Sequence, residues 1–288
     1  MTETLLDILE HSFIDTLKLF PFLLVTYLVL EYIEHKSEGK TIEIIGTSSK
    51  IGPIIGSLLG VFPQCGFSAV AANFYAAGAI TSGTLIAVFL STSDEMLPIM
   101  ISYGVGVNVF LKILAIKVFA GIVLGFIMDF VITKTSTKKE QIDIAHMCEH
   151  EGCGCHKKGI LKSSLIHSVR VSIFIFFISC VIGISVHQIG LDNLKSFMHG
   201  SPIFAEMISG LVGIIPSCSA SVIITQLYLD KAINLGAMLS GLLVGTGAGL
   251  LVLFRVNHDF KENLNILFIL YISGVSVGVL VNLLGITI

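Results

Sequence analysis

The chain reads as an all-α, polytopic transmembrane bundle of two repeats, inverted relative to one another, with broken or re-entrant helices. Three observations point there: a shortage of charge, recurrent apolar stretches of bilayer length, and an internal echo. Of 288 residues only 13% are charged and 54% are hydrophobic, and mean hydropathy is +0.92. A soluble domain carries about 25% charged residues. This chain has too few to coat a water-facing surface, so its apolar excess must face lipid.

Apolar stretches recur at 13–33, 51–76, 79–101, 104–132, 165–187, 203–228, 233–254 and 263–285. A hydrocarbon core about 30 Å thick needs roughly 20 such residues per helix. The start, Met1 to Glu10, is acidic, and the first run exceeds a cleavable signal, so the chain is expected to keep it. A diffuse net charge of −3 gives nucleic acid no footprint. Trp is absent, which leaves Tyr27, Tyr32, Tyr75, Tyr103, Tyr228 and Tyr271 as interfacial aromatics.

The echo pairs Gly60-Val61-Phe62-Pro63-Gln64-Cys65-Gly66-Phe67-Ser68 with Gly213-Ile214-Ile215-Pro216-Ser217-Cys218-Ser219-Ala220-Ser221. The same offset aligns Tyr75 with Tyr228 and Gly83 with Gly236. The chain therefore divides into a first transmembrane repeat (1–132), a polar Cys/His-rich linker loop (133–164) and a second transmembrane repeat (165–288). Lysines gather at 34–50 and in the linker, which places both on the cytoplasmic side. An even number of crossings must separate them, yet three apolar segments intervene. One segment is thus re-entrant or split, and the break at Pro63 is the natural place.

Paired Pro-interrupted apolar segments mark the midplane site of repeat-built transporters. Proline lacks an N–H and opens the helix. Freed carbonyls in lipid cost several kcal/mol unless protein or a wet cavity receives them. Pro63 and Pro216 therefore predict a gap, with Cys65, Cys218, Ser68, Ser221, Asn73 and Gln226 lining it. A second break, Ser91-Thr92-Ser93-Asp94-Glu95, carries two adjacent acids. A mid-membrane carboxylate costs about 2.5–3.5 kcal/mol on insertion scales, so Asp94 and Glu95 are expected to face an ion pathway, with Ser91 and Ser93 beside them. Lys112 is expected to be the deeper cation of its run and to pair with such an acid. Lys117 is expected to snorkel to the surface.

His11 and Asp15 share one face of the first helix; Glu31, Glu34 and His35 form a second set about 30 Å away. They are either entrance and exit ligands or interfacial polar groups. His146, Cys148, His150, Cys153, Cys155 and His156 crowd the linker. The spacing is not that of a zinc finger, and the composition is that of a soft-metal capture loop. No Walker-type Gly-x-x-x-x-Gly-Lys and no His-Glu-x-x-His occurs, so neither ATP hydrolysis nor a metallohydrolase is expected.

At Gly60-x-x-Pro63-x-Cys65-Gly66, at Ser91-Thr92-Ser93-Asp94-Glu95-x-Leu97-Pro98, at Glu31-Tyr32-Ile33-Glu34-His35 and in the Cys/His-rich loop, the chain resembles the ten-transmembrane heavy-metal exporters. These are grouped with the ArsP-type arsenic-efflux permeases, and some members are labelled manganese transporters. The second half departs from the pattern at Ser219, where Gly is expected. The resemblance implies a multi-pass cell-membrane permease that exports a toxic metal or metalloid ion. No cofactor is required, since metal is the substrate, with the loop as a further metal site. Its partners are that ion, a coupling proton or ion, and the bilayer; a homo-oligomer is compatible.

A membrane-anchored metal sensor is the competing class. Deletion of residues 140–158 separates the two: an exporter keeps residual metal efflux in loaded cells, whereas a sensor loses all response.

Overall fold

The computed structural model describes residues 9–10, 12–14, 16–21, 23–25, 27–29, 51–62, 65–93, 96–135, 160–189 and 202–286. Among them every regular element is helical. The first helical stretch, α1, spans Ser12–Val29. It is followed by α2 (Gly52–Gly60), α3 (Cys65–Ala76), α4 (Ser82–Ser91), α5 (Met96–Ser102) and α6 (Val107–Thr135). Then come α7 (Ile160–Ile189), α8 (Pro202–Ile214), α9 (Cys218–Leu229), α10 (Leu235–Val244), α11 (Gly249–Val256) and α12 (Phe260–Leu283). Five stretches are long and apolar enough to cross a membrane: Ser12–Val29, Val107–Val131, Ser164–Val181, Leu235–Val256 and Phe260–Leu283. The protein is a multi-pass membrane protein.

One constant offset carries Cys65 to Cys218, Ala76 to Leu229, Ser82 to Leu235, Ser91 to Val244, Met96 to Gly249 and Val107 to Phe260. Caps follow it too. Thr81 accepts from the Thr84 N–H at the start of α4, and Asn234 from the Ala237 N–H at the start of α10.

The core is built on α4 and α10, whose residues Gly83–Ser91 and Leu235–Val244 are all buried. Each has 10 residues, about 15 Å, or half a bilayer core. Small residues let the neighbours approach. Along α2, Gly52 meets Thr84, Gly56 meets Val88 and Gly60 meets Ser91, so α2 and α4 run in the same direction. Gly83 meets Gly125 and Ala87 meets Gly121, so α6 runs the opposite way. In the second half α8 lies along α10 through Gly210 with Ser240 and Gly213 with Gly241, and α12 opposes α10 through Gly278 with Gly236.

These directions settle the path of α3. It has 12 residues, about 18 Å, and continuing past the end of α2 would carry its far end about 33 Å from the start of α4. Residues 77–81 join them and reach at most about 20 Å. So α3 turns back, and α2 with α3 form a hairpin that enters and leaves on one side. The same bounds at the constant offset give α8 and α9 the same hairpin.

The long helices face outward. On α7, Leu161, Leu165, Val169, Ile173, Phe177 and Val181 are exposed at a spacing of four, while Ser164, His167, Ser168, Val171 and Ile175 are buried. That polarity inside, with apolar groups outside, suits lipid. The ring of Tyr27 on α1 stacks on His167, centroids 5.2 Å apart.

A Cβ at Gly213 would strike the carbonyl oxygen of Gly241, which is backbone and cannot rotate away. Gly213→Ala is expected to cost about 1–3 kcal/mol, read as a lowered thermal midpoint in detergent. Gly106→Ala, with nothing within 4 Å of the new methyl, is expected to stay within about 0.5 kcal/mol.

Candidate functional site

Two core helices stop inside the protein. At Thr92 the backbone turns extended, and its N–H bonds back to Val88 and Phe89. At Gly245 the N–H bonds to Gly241. The last carbonyls of a helix have no partner within it. Side chains supply some: Ser91 Oγ donates to the Ala87 carbonyl at 2.8 Å and Thr92 Oγ1 to that of Val88 at 2.7 Å.

Lys117, on α6, supplies two more donors. Its ammonium donates to the carbonyl of Thr92 and, at 2.9 Å, to that of Leu242. Its side chain is 0% exposed. An isolated buried ammonium carries a penalty of several kcal/mol. Each helix C-terminus, however, presents roughly half an elementary negative charge. Two ends together match one ammonium, which explains how one lysine sits where α4 and α10 both stop.

The hairpin tips reach the same level. Ser93 Oγ donates to the Val61 carbonyl at 2.6 Å, tying the α4–α5 break to the α2–α3 turn. One turn into α3, Ser68 Oγ donates to the Thr246 carbonyl at 3.1 Å, tying this hairpin to the break after α10. A Cβ on Gly249 would lie 2.7 Å from the Ser68 Cβ and 3.0 Å from the Phe89 ring, so α3 and α11 are as close as glycine permits. In the second hairpin, the Ser217 N–H closes onto the Ile215 carbonyl at 2.7 Å around Pro216. Asn73 Nδ2 donates to the Ala69 carbonyl at 3.0 Å, while its buried Oδ1 has no partner among the described residues.

At the far ends of the core helices sit two carboxylates. Asp129 on α6 accepts from Thr81 Oγ1 and the Gly83 N–H, both at 2.9 Å. Both donors belong to the start of α4, where a negative group offsets the helix dipole. Glu206 on α8 is buried beside Asn234 Nδ2 at 3.4 Å, at the start of α10.

Residues 2–190 match the family described as "Putative, 10TM heavy-metal exporter". The chain belongs to this family. No curated relative and no solved structure matches it.

In this member of the exporter family, the structure brings Ser68, Ser91, Ser93 and the Lys117 ammonium to the helix breaks. Asn73 is buried on α3, while Pro216 sits at the second hairpin tip and Ser221 and Gln226 are half-buried on α9. Lys112 is corrected: it is exposed, and Lys117 is the deep cation. Depth follows the helix face. Ile113, Lys117, Gly121 and Gly125, spaced by four, form the buried face of α6, and Lys112 lies off it. Cys65 and Cys218 open α3 and α9, but their side chains are outside the described set. So are Pro63, Asp94, Glu95, His11, Asp15, Glu31, Glu34, His35 and the loop ligands His146, Cys148, His150, Cys153, Cys155 and His156. Asp129 and Glu206 were missed, although a lone acid inside an apolar run was the signal.

Ser68→Ala removes one of two donors to the Thr246 carbonyl, the other being the Gly249 N–H at 3.2 Å. It is expected to cost about 1 kcal/mol. Gly249→Ala pushes α11 off α3 and is expected to cost more, about 1–3 kcal/mol. Thermal unfolding of the purified variants orders them.

Proposed function

We propose that this protein is a secondary exporter of a toxic metal or metalloid ion, with the substrate held at the midplane between the two broken regions. The observation that carries the reading is the meeting of two interrupted core helices at one buried ammonium, in a chain that belongs to an exporter family. Interrupted helices cost carbonyl partners in lipid, and they recur where something must be bound and released.

The halves are read as inverted. Starting α2 and α4 on one side, α4–α5 crosses, α6 returns, and α7 crosses again. The second hairpin then opens from the opposite side. With the lysine-rich segments cytoplasmic, the first hairpin enters from the cytoplasm and the second from outside. Each half can then yield in turn, so that the midplane opens to one side at a time.

Ligand chemistry divides the cargo. Cys65 and Cys218 open the two returning helices and suit arsenite or a soft heavy metal; Asp94 and Glu95, just past Thr92, suit a harder divalent ion such as manganese. Arsenite is uncharged at neutral pH and needs no counter-charge at the breaks, whereas a divalent cation would call on Asp94 and Glu95. Gradient coupling is assigned to Asp94 or Glu95 as the proton-carrying group.

The test is metal accumulation in cells carrying the wild type, Asp94→Asn, or Cys65→Ser with Cys218→Ser, across arsenite, Mn, Zn, Cd and Co. The wild type is expected to lower cellular arsenic, and both variants to restore it. Identical contents of every ion in expressing and empty cells would remove the exporter reading. Arsenite efflux that survives loss of both thiols would remove the thiol site alone.

A further inference from the structure

We infer that the carbonyls of Thr92 and Leu242 form a monovalent-cation site, and that the ammonium of Lys117 is its built-in occupant. The inference rests on the midplane reading above and deepens it by assigning the counter-charge of the site.

Three observations carry it. First, the two acceptors are main-chain carbonyls from the ends of two different helices, α4 and α10, each at the negative pole of its helix. Rings of main-chain carbonyls are what proteins use to replace the hydration shell of an alkali cation. Second, Lys117 is wholly buried on a 29-residue helix whose apolar stretch is long enough to cross the membrane. Its charge is therefore offset by these groups and by others around it rather than by bulk water. Third, the site has one cation for two helix ends. The constant offset that carries Val107 to Phe260 puts Leu270 in the place of Lys117, and Leu270 is buried and apolar. The single ammonium thus serves both ends.

The charged groups nearest in sequence are Asp94 and Glu95, which follow Thr92, and the exposed Lys112 on the same helix as Lys117. A tethered ammonium cannot diffuse away. The protein is expected to need no free alkali ion at this point, and to acquire that need when the tether is cut.

Two substitutions distinguish a cation site from a packing role. Lys117→Ala removes the charge and leaves room for a free cation. Lys117→Met removes the charge but fills most of the volume. Purified wild type, both variants and Lys112→Ala are melted in choline chloride, sodium chloride, potassium chloride or ammonium chloride at equal ionic strength. Wild type and Lys112→Ala are expected to melt alike in all four. Lys117→Ala is expected to melt lower in choline and to rise, saturably, with potassium or ammonium. Lys117→Met is expected to stay low throughout. The inference is overturned if Lys117→Ala responds to the four salts as the wild type does, if Lys117→Met recovers equally, or if Lys117→Ala folds in none of them. The readout needs no transported metal. Its failure leaves the exporter reading standing, and failure of the accumulation test leaves this site in a carrier of other cargo.

Discussion

Two helices that stop inside a membrane protein leave carbonyls that must accept from something, and here one lysine donates to a carbonyl at each end. The bond from Lys117 to Thr92 and Leu242 ties α6 to the ends of both core helices. It meets the ends of α4 and α10 inside the protein, where Ser93 and Ser68 also tie the breaks to the first hairpin. Remove the ammonium, and two negative helix poles face one another in a low-dielectric interior, where such repulsion is least screened.

Around that point the halves are interlaced rather than set side by side. α3, from the first hairpin, lies along α11 of the second half, while α9 lies against α5 of the first. At the outer end of the first pair, Tyr75 donates to the carboxylate of Glu262, which also accepts from Asn257 at 3.0 Å. Asn263 Nδ2 in turn bonds the Asn257 carbonyl at 2.8 Å, so the turn between α11 and α12 is closed onto the end of α3. The first hairpin is therefore joined to the other half by a packed helix and a polar clasp.

Much of this was legible in the residues. The Pro-Cys echo marked both hairpins, and the Ser-Thr-Ser run marked the end of α4, because proline and clustered hydroxyls disturb a helix wherever they stand. The directions of α2 and α3 were only partly legible: lysine distribution demanded a turn, and the glycine contacts with Thr84 and Ser91 supplied its sense. Lys112 was expected to be the deeper lysine, although Lys117 stands nearer the centre of the 104–132 run. The spacing of Ile113, Lys117, Gly121, Gly125 and Asp129 carried the answer, since glycines at intervals of four mark the face that meets another backbone. The matching stripe in α12, Ile266, Leu270, Gly274, Gly278 and Asn282, has the same glycines without the charges. The two halves kept their packing surface and diverged in electrostatics.

The pairing of α3 with α11 and of α9 with α5 bears on what one half could do alone. α3 rests chiefly on α11 of the other half, whereas α9 packs on α10 of its own half as well as on α5. A half-length chain would leave the α11-facing side of α3 uncovered, an apolar surface that a second copy or lipid must then cover.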